Sequence, residues 1–255
     1  MNIILVESDE ITDNLVHLND HRAEHIVKVL RSQVGDEVRV GVVNGGKGKG
    51  KILNIKTKFP FGVDLDIKIR ESQHQVPPLD LILALPRPIM LKRILSQVTA
   101  LGIGTIHLIQ AKRVEKSFWE STIIAENGFK PFLLHGLEQA VDTILPEICL
   151  HRKFKPFLED YYPTIRESYQ YHLLAHPGGQ NGLPGEIDEK SCRTVFAVGP
   201  EGGWVDYEVQ KFRQQGFVDC SIGERILKVD TAVVALHARI SLLMEKREHI
   251  YNQES

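Results

Sequence analysis

The sequence predicts an α/β protein: a carboxyl-terminal domain on a mainly parallel sheet, preceded by a small β-rich domain. Two patterns carry this. From residue 79 onward, short and largely apolar strands (79–85, 105–109, 171–175, 194–198 and 217–222) alternate with helical stripes. Strands of that kind belong to a parallel sheet covered on both faces. Before residue 72, by contrast, strand patterns crowd together with one helix among them. A chain of 255 residues with 42% hydrophobic content suits one medium and one small domain, each with a core.

In the first part, strands are expected at 3–6, 37–43, 51–55 and 63–69. The apolar positions Ala23, Ile26, Val27 and Leu30 have helical spacing over 22–30, with His25, Lys28 and Arg31 on other sides. Gly35-Asp36 marks the turn into the next strand. The glycine- and lysine-rich run 45–50 lacks the βαβ setting of a dinucleotide fingerprint and reads as a mobile basic hairpin tip. Gln75-Val76-Pro77-Pro78 disfavours helix and reads as a linker, which sets the domains at 1–72 and 79–255 with 73–78 between them.

In the second part, Leu91, Ile94, Leu95, Val98 and Leu101 make one helical stripe that Gly102 ends. Two more helices are expected at 205–215 and 231–247. Spacing by itself leads to an ordinary doubly wound sheet, since connections that thread loops are almost absent from proteins.

The formal net charge is −2, which gives no global reason to expect nucleic acid. Local charge differs: from Arg22 to Lys58 there are nine Lys/Arg against three acids. That asymmetry suggests a basic face turned towards a polyanion, the alternative being a solvated lysine-rich hairpin. Cys149, Cys192 and Cys220 are widely separated with no CxxC pair, which argues against a disulfide framework and fits a reducing cytosol. No apolar run approaches the roughly 20 residues of a membrane span.

Two segments carry chemistry. Val198-Gly199-Pro200-Glu201-Gly202-Gly203-Trp204 and Ile222-Gly223-Glu224-Arg225-Ile226-Leu227-Lys228-Val229-Asp230-Thr231-Ala232 each follow an apolar strand and precede a helix. Ligands bind where strand ends meet helix starts in such sheets. Glycine lets the backbone approach a ligand, and Pro200 stiffens the first turn. Gly199, Gly202, Gly223, Ile226 and Leu227 are the natural walls of a pocket, with His176-Pro177 at another strand end as a third wall.

This pair of segments resembles the signature of the SPOUT methyltransferases, and within them the family that methylates N3 of a uridine in small-subunit ribosomal RNA. Ala84-Leu85-Pro86-Arg87, Lys92, residues 97–102, Glu138-Gln139 and the run 25–31 with Gly35-Asp36 extend the resemblance over nearly the whole chain. It implies a deep trefoil knot containing both glycine segments, an amino-terminal PUA-like β-barrel that recognises RNA, and a cytoplasmic homodimer. It implies S-adenosylmethionine as cofactor, held by His176, Gly199, Pro200, Glu201, Gly202, Ile222, Gly223, Ile226 and Leu227. The implied partner is ribosomal RNA or the small subunit, with no membrane and no DNA. The alternatives are a SPOUT methyltransferase acting on another nucleotide, and an inactive RNA-binding assembly factor.

Methyl transfer from an activated sulfonium needs positioning and no metal. None of the eleven histidines forms an HExxH or a Cys/His cluster at ligand spacing. N3 of uracil becomes a nucleophile when its proton leaves and negative charge spreads to O2 and O4. Arg225 is the candidate to stabilise that charge and Glu201 to accept the proton. Their structural alternatives are a loop-bracing salt bridge and a helix-start carboxylate. Lys228 and Asp230 read as a structural pair. Lys28, Arg31, Arg87, Lys92 and Arg113 are candidate RNA contacts, and Phe118-Trp119 a candidate base-stacking pair or core. The apolar stripe Val233, Val234, Leu236, Ile240 and Leu243 is the candidate dimer surface. The sequence departs from familiar members at residues 140–143, where they place a basic residue, and conservatively at Lys228 and Asp230.

Overall fold

The computed structural model describes residues 2–70, 75–126, 128–176 and 193–251. Pro177 and Cys192 lie outside the described residues. The chain forms two compact units, Met1–Gln75 with Leu133–Leu145, and Val76–Phe132 with Pro146–Ser255.

The first unit is a six-stranded mixed sheet of β1 (Ile4–Val6), β2 (Ile11–Thr12), β3 (Leu15–Leu18), β4 (Glu37–Val42), β5 (Lys47–Lys56) and β6 (Gly62–Arg70), in the order β1-β4-β5-β6-β3-β2. β1 runs parallel to β4 and the other pairs are antiparallel. Alternating inward residues, among them Val38, Val40, Ile52, Val63 and Leu65, join Ala23 and Ile26 in one core. The expected helix begins as His21–His25, with the Asp20 side chain accepting from the Arg22 amide at 2.9 Å, but continues as a π turn over Ile26–Leu30. The wider π repeat carries Leu30 off the buried face, so Leu30 is 44% exposed while Ile26 is fully buried.

The glycine-rich run is a hairpin tip only at Gly45 and Gly46, and from Lys47 onward it is strand. Lys47 to Gly50 pair with β4 on one side and β6 on the other. A Cβ on Gly46 would stand 2.1 Å from the Arg70 carbonyl oxygen, and one on Gly48 1.9 Å from that of Lys68. Glycine here admits the close approach of β6. The turn itself falls earlier, with Asn44 at φ 55°. The departure at residues 140–143 packs on this turn: Thr143 Oγ1 donates to the Gly45 carbonyl at 2.7 Å, and Asp142 pairs with Lys47 at 2.9 Å.

The second unit is a six-stranded sheet, parallel throughout, of β7 (Leu79–Ala84), β8 (Thr105–Ile109), β9 (Glu147–His151), β10 (Tyr171–Ala175), β11 (Thr194–Val198) and β12 (Val218–Cys220). Its order is β12-β10-β11-β7-β8-β9. Central β7 and β11 are buried at every residue, as continuous apolar strands require. Helix Pro88–Leu101 starts on its proline and stops at Gly102, whose φ of 87° is a left-handed cap. It buries Leu91, Ile94, Leu95 and Val98. Helices Asp206–Gln214 and Val229–Tyr251 follow β11 and β12.

Along Val229–Tyr251 the stripe expected to face a partner turns inward: Val233, Leu236 and Ile240 are buried within the chain. Those three cannot also cover a second protomer. Beneath the sheet's amino-terminal edge, the buried Asp80 carboxylate accepts from Arg193 Nε at 2.7 Å and Nη2 at 2.8 Å, Tyr169 OH at 2.7 Å and the Thr105 amide at 2.7 Å. Four donors offset the cost of burying that charge.

Candidate functional site

Because β10, β11 and β12 run parallel, their carboxyl ends open on one edge of the sheet. There the chain leaves β11 through residues 199–205, leaves β12 through 221–228, and leaves β10 at His176, whose amide donates to the Cys220 carbonyl at 3.1 Å. These segments enclose a cavity of about 690 Å³, with Arg87 and Met90 completing the wall. Volumes of a few hundred Å³ at such strand ends are typical of small-molecule sites. His176, Gly199, Pro200, Glu201, Gly202, Ile222, Gly223, Ile226 and Leu227 all line it, and so does Arg225.

The glycines meet two kinds of constraint, close side chains at two positions and backbone conformation at a third. A Cβ on Gly199 would meet the Trp204 ring at 3.1 Å, and one on Gly202 would meet Arg113 Cδ at 2.8 Å. Gly223 has open space around it, and its φ of 137° is the constraint. The expectation that these glycines serve ligand approach is therefore incomplete: two of them also admit side chains that hold the loop.

The cavity is mixed in character. Val198, Ile222 and Leu236 give apolar wall, and Ile226 remains 88% exposed beside it. Trp204 is buried against Phe212, ring centres 5.0 Å apart, yet its indole N–H has no hydrogen-bond partner among the described residues. A lining donor without a partner, beside uncovered apolar side chains, fits a ligand with both polar and apolar parts.

Arg225 and Glu201 make no side-chain hydrogen bond or ion pair among the described residues, so Arg225 braces no loop in this structure and Glu201 does not cap the helix that follows. That role belongs to Glu208, which the sequence reading missed. Its buried carboxylate accepts from the Val205 amide at 3.0 Å and the Lys112 amide at 2.7 Å, tying the helix start to the turn after β8. A Glu three residues past a helix start is a capping signal, masked here because the first position is valine.

Asp230 also departs from expectation. Its partner is Arg93, Nη2 to Oδ2 3.3 Å, and not Lys228. Arg113, expected on RNA, donates from Nη1 to the Gly202 carbonyl. Lys92 lies 5.4 Å from the centre of the Phe132 ring, and Arg87 is the RNA candidate that reaches the cavity wall. Trp119 is core, 5% exposed, with its indole N–H donating to Gln110 Oε1 at 2.5 Å.

In the first unit, Lys28 pairs with Glu24 at 2.6 Å, and Arg31 is exposed at φ 54°. The strand register sets cations of the basic segment 22–58 beside Lys68 and Arg70. Arg39, Lys49 and Lys68 stand side by side across β4, β5 and β6, and Lys47 faces Arg70 on the next rung. With Lys51 they line a cleft of about 610 Å³. Glu37 pairs with Lys49 at 2.6 Å and Asp142 with Lys47 at 2.9 Å, and Asp66 also lines the cleft, so the like-charge repulsion is partly offset and the face keeps an excess of cations for an anionic ligand.

Comparison with known proteins agrees with both halves. Residues 72–241 match the model of an RNA methyltransferase domain, and residues 18–64 that of an RNA methyltransferase PUA domain. The chain is 30% identical over 237 residues to ribosomal RNA small subunit methyltransferase E of Treponema pallidum, covering 92% of this chain and 88% of that one. It is 30% identical over 236 residues to ribosomal RNA small subunit methyltransferase E 1 of Borreliella burgdorferi, covering 92% and 95%. The fold is shared with the crystal structure of a ribosomal RNA small subunit methyltransferase E from Neisseria gonorrhoeae bound to S-adenosyl methionine. There the TM-score is 0.76 at 19% identity, over 95% of this chain and 98% of that chain.

Proposed function

Because the chain belongs to the RNA methyltransferase family, we propose that it transfers a methyl group from S-adenosylmethionine to N3 of a uridine in small-subunit (16S) ribosomal RNA. The observation that carries this reading is the cavity shared by the two glycine loops, with Arg225 and Glu201 on its wall and neither engaged elsewhere among the described residues. S-adenosylmethionine supplies a methyl group activated by a positive sulfur. Gly199, Pro200, Gly202, Ile222, Gly223, Ile226 and Leu227 hold it, with His176 closing the side at β10.

The Arg225 guanidinium stabilises the negative charge that grows on the uracil oxygens. Glu201 takes the N3 proton. Arg87, at the rim, meets phosphate. In the reading's domain plan, residues 1–72 recognise RNA, 73–78 link, and 79–255 carry the transfer, with both glycine loops inside a trefoil knot. The ladder of Arg39, Lys49 and Lys68 supports the first of these roles, as Lys28 and Arg31 do by their exposure. A cytoplasmic homodimer belongs to the same reading. No helix of the described residues is long and apolar enough to cross a membrane.

Mapping of methylated nucleotides in ribosomal RNA, from cells with and without this gene, tests the reading. One N3-methyluridine of the small-subunit RNA should vanish with the gene. Loss of a methyl group from a different base would move the target, and an unchanged methylation map would remove the activity.

A further inference from the structure

We propose that His107, Cys149 and His151 form a binding site for one zinc ion at the β8–β9 edge of the parallel sheet. Strand pairing builds the group: His107 is in register with Cys149, and His151 lies two residues beyond Cys149, on the same face of β9. His107 Nδ1 is 3.2 Å from His151 Nε2. Two imidazoles on a tetrahedral zinc, each about 2.0–2.1 Å from the ion, have their nitrogens roughly 3.3 Å apart. The three ligand atoms all lie within 4.8 Å of one another, against the roughly 3.6 Å N–S spacing of a tetrahedral site, so binding draws the thiol in towards the two imidazoles.

The surroundings suit an ion. His107 is 2% exposed, and its other ring nitrogen, Nε2, has no hydrogen-bond partner among the described residues, so nothing there fixes the proton on either nitrogen and Nδ1 is free to present its lone pair. The rings of Phe157 and Tyr161 each lie 4.5 Å from that of His151 and wall off the site. Two imidazoles and one sulfur form a borderline-to-soft donor set, which selects zinc over magnesium or calcium. The Cys149 thiol donates to Glu147 Oε1 at 3.6 Å, and that carboxylate is placed to receive its proton. On binding, the S–H bond breaks, the proton passes by way of Glu147 to solvent, and a zinc–sulfur bond forms without any redox change. Water takes the fourth position. Such a site clasps edge strand β9 to β8 and is not part of the cofactor cavity.

Cobalt(II) titration of the full chain, stripped of metal by a chelator, tests the proposal, with cobalt as the spectroscopic stand-in for zinc. One equivalent should bind with tetrahedral d–d bands and a thiolate-to-cobalt charge-transfer band, and zinc should displace it. Cys149→Ser should lose the charge-transfer band, and His151→Gln should weaken binding at least tenfold. Zinc should raise the Tm of the unsubstituted protein and leave that of Cys149→Ser in place. Absence of the charge-transfer band in the unsubstituted protein overturns the site, as does its survival in Cys149→Ser. Should that variant fail to fold, His151→Gln decides: unchanged affinity rejects the site. S-adenosylmethionine affinity, read by calorimetry, should not depend on zinc.

Discussion

The Arg113 guanidinium donates to the carbonyl oxygen of Gly202, joining the turn after β8 to the first glycine loop. A residue so placed holds the cavity wall in shape. Arg113→Ala should therefore weaken S-adenosylmethionine binding by about tenfold, the low end of the scale for one charge-assisted hydrogen bond. Calorimetry reads this directly. Unchanged cofactor affinity together with lost RNA affinity would return Arg113 to the RNA contacts.

The cation ladder of the first unit gives two effects of opposite sign. Replacing Arg39 and Lys68 by alanine removes two phosphate contacts and should reduce the salt slope of RNA binding by about 1.5–2. The same change relieves cross-strand repulsion, on the order of 0.2–1 kcal/mol per pair, so the folded state should be as stable or more so. RNA binding that kept its salt slope would leave the ladder a solvated surface.

Asp80 is fully buried and accepts four hydrogen bonds. Asp80→Ala leaves Arg193, Tyr169 OH and the Thr105 amide without their acceptor, and unfolding by urea should show a loss of about 3–5 kcal/mol. A loss below about 1 kcal/mol would mean that water replaces the carboxylate at little cost.

Acid sensitivity follows from Arg22. Its hydrogen bonds hold Glu10 below the ordinary carboxylate value of 4.5, against an opposing effect of burial. At Asp20 burial pushes upward from 3.8, but hydrogen bonds from Arg22 outweigh it and the net shift is downward. Carboxylates lowered in the folded state add stability above their unfolded values, and that stability is lost as pH falls through the lowered ones. The urea midpoint should thus fall below about pH 4.5. In Arg22→Met the midpoint should be lower at neutral pH and its acid dependence shallower. Parallel acid profiles for the two proteins would contradict this.

Much of the fold was legible because its signals are local. Continuous apolar strands such as Thr194–Val198 state their burial residue by residue, and Gly102 announces the end of its helix. The cavity was legible too, since strand ends and glycines mark loops that parallel strands must bring to one edge. What stayed hidden depends on neighbours distant in sequence. Gly46 and Gly48 look like a turn until β6 lies against them. The partner of Asp230 is on another helix, and the cysteine nearest to His107 is on the adjacent strand. The π turn after His25 changes which apolar residues face inward without changing their spacing.

The central claim is that Arg225 acts on the reacting base and the glycine loops act on the cofactor. The direct measurement compares single-turnover methyl transfer and cofactor affinity in Arg225→Ala and Gly223→Val. Arg225→Ala should lower turnover by roughly 10²- to 10³-fold with cofactor affinity nearly unchanged, the scale of losing one preorganised donor. Gly223→Val, forced to a φ of 137° that a branched residue resists, should abolish cofactor binding while the first unit stays folded. If Arg225→Ala loses cofactor affinity as completely as Gly223→Val, Arg225 belongs to the cofactor site and its role on the uracil is contradicted.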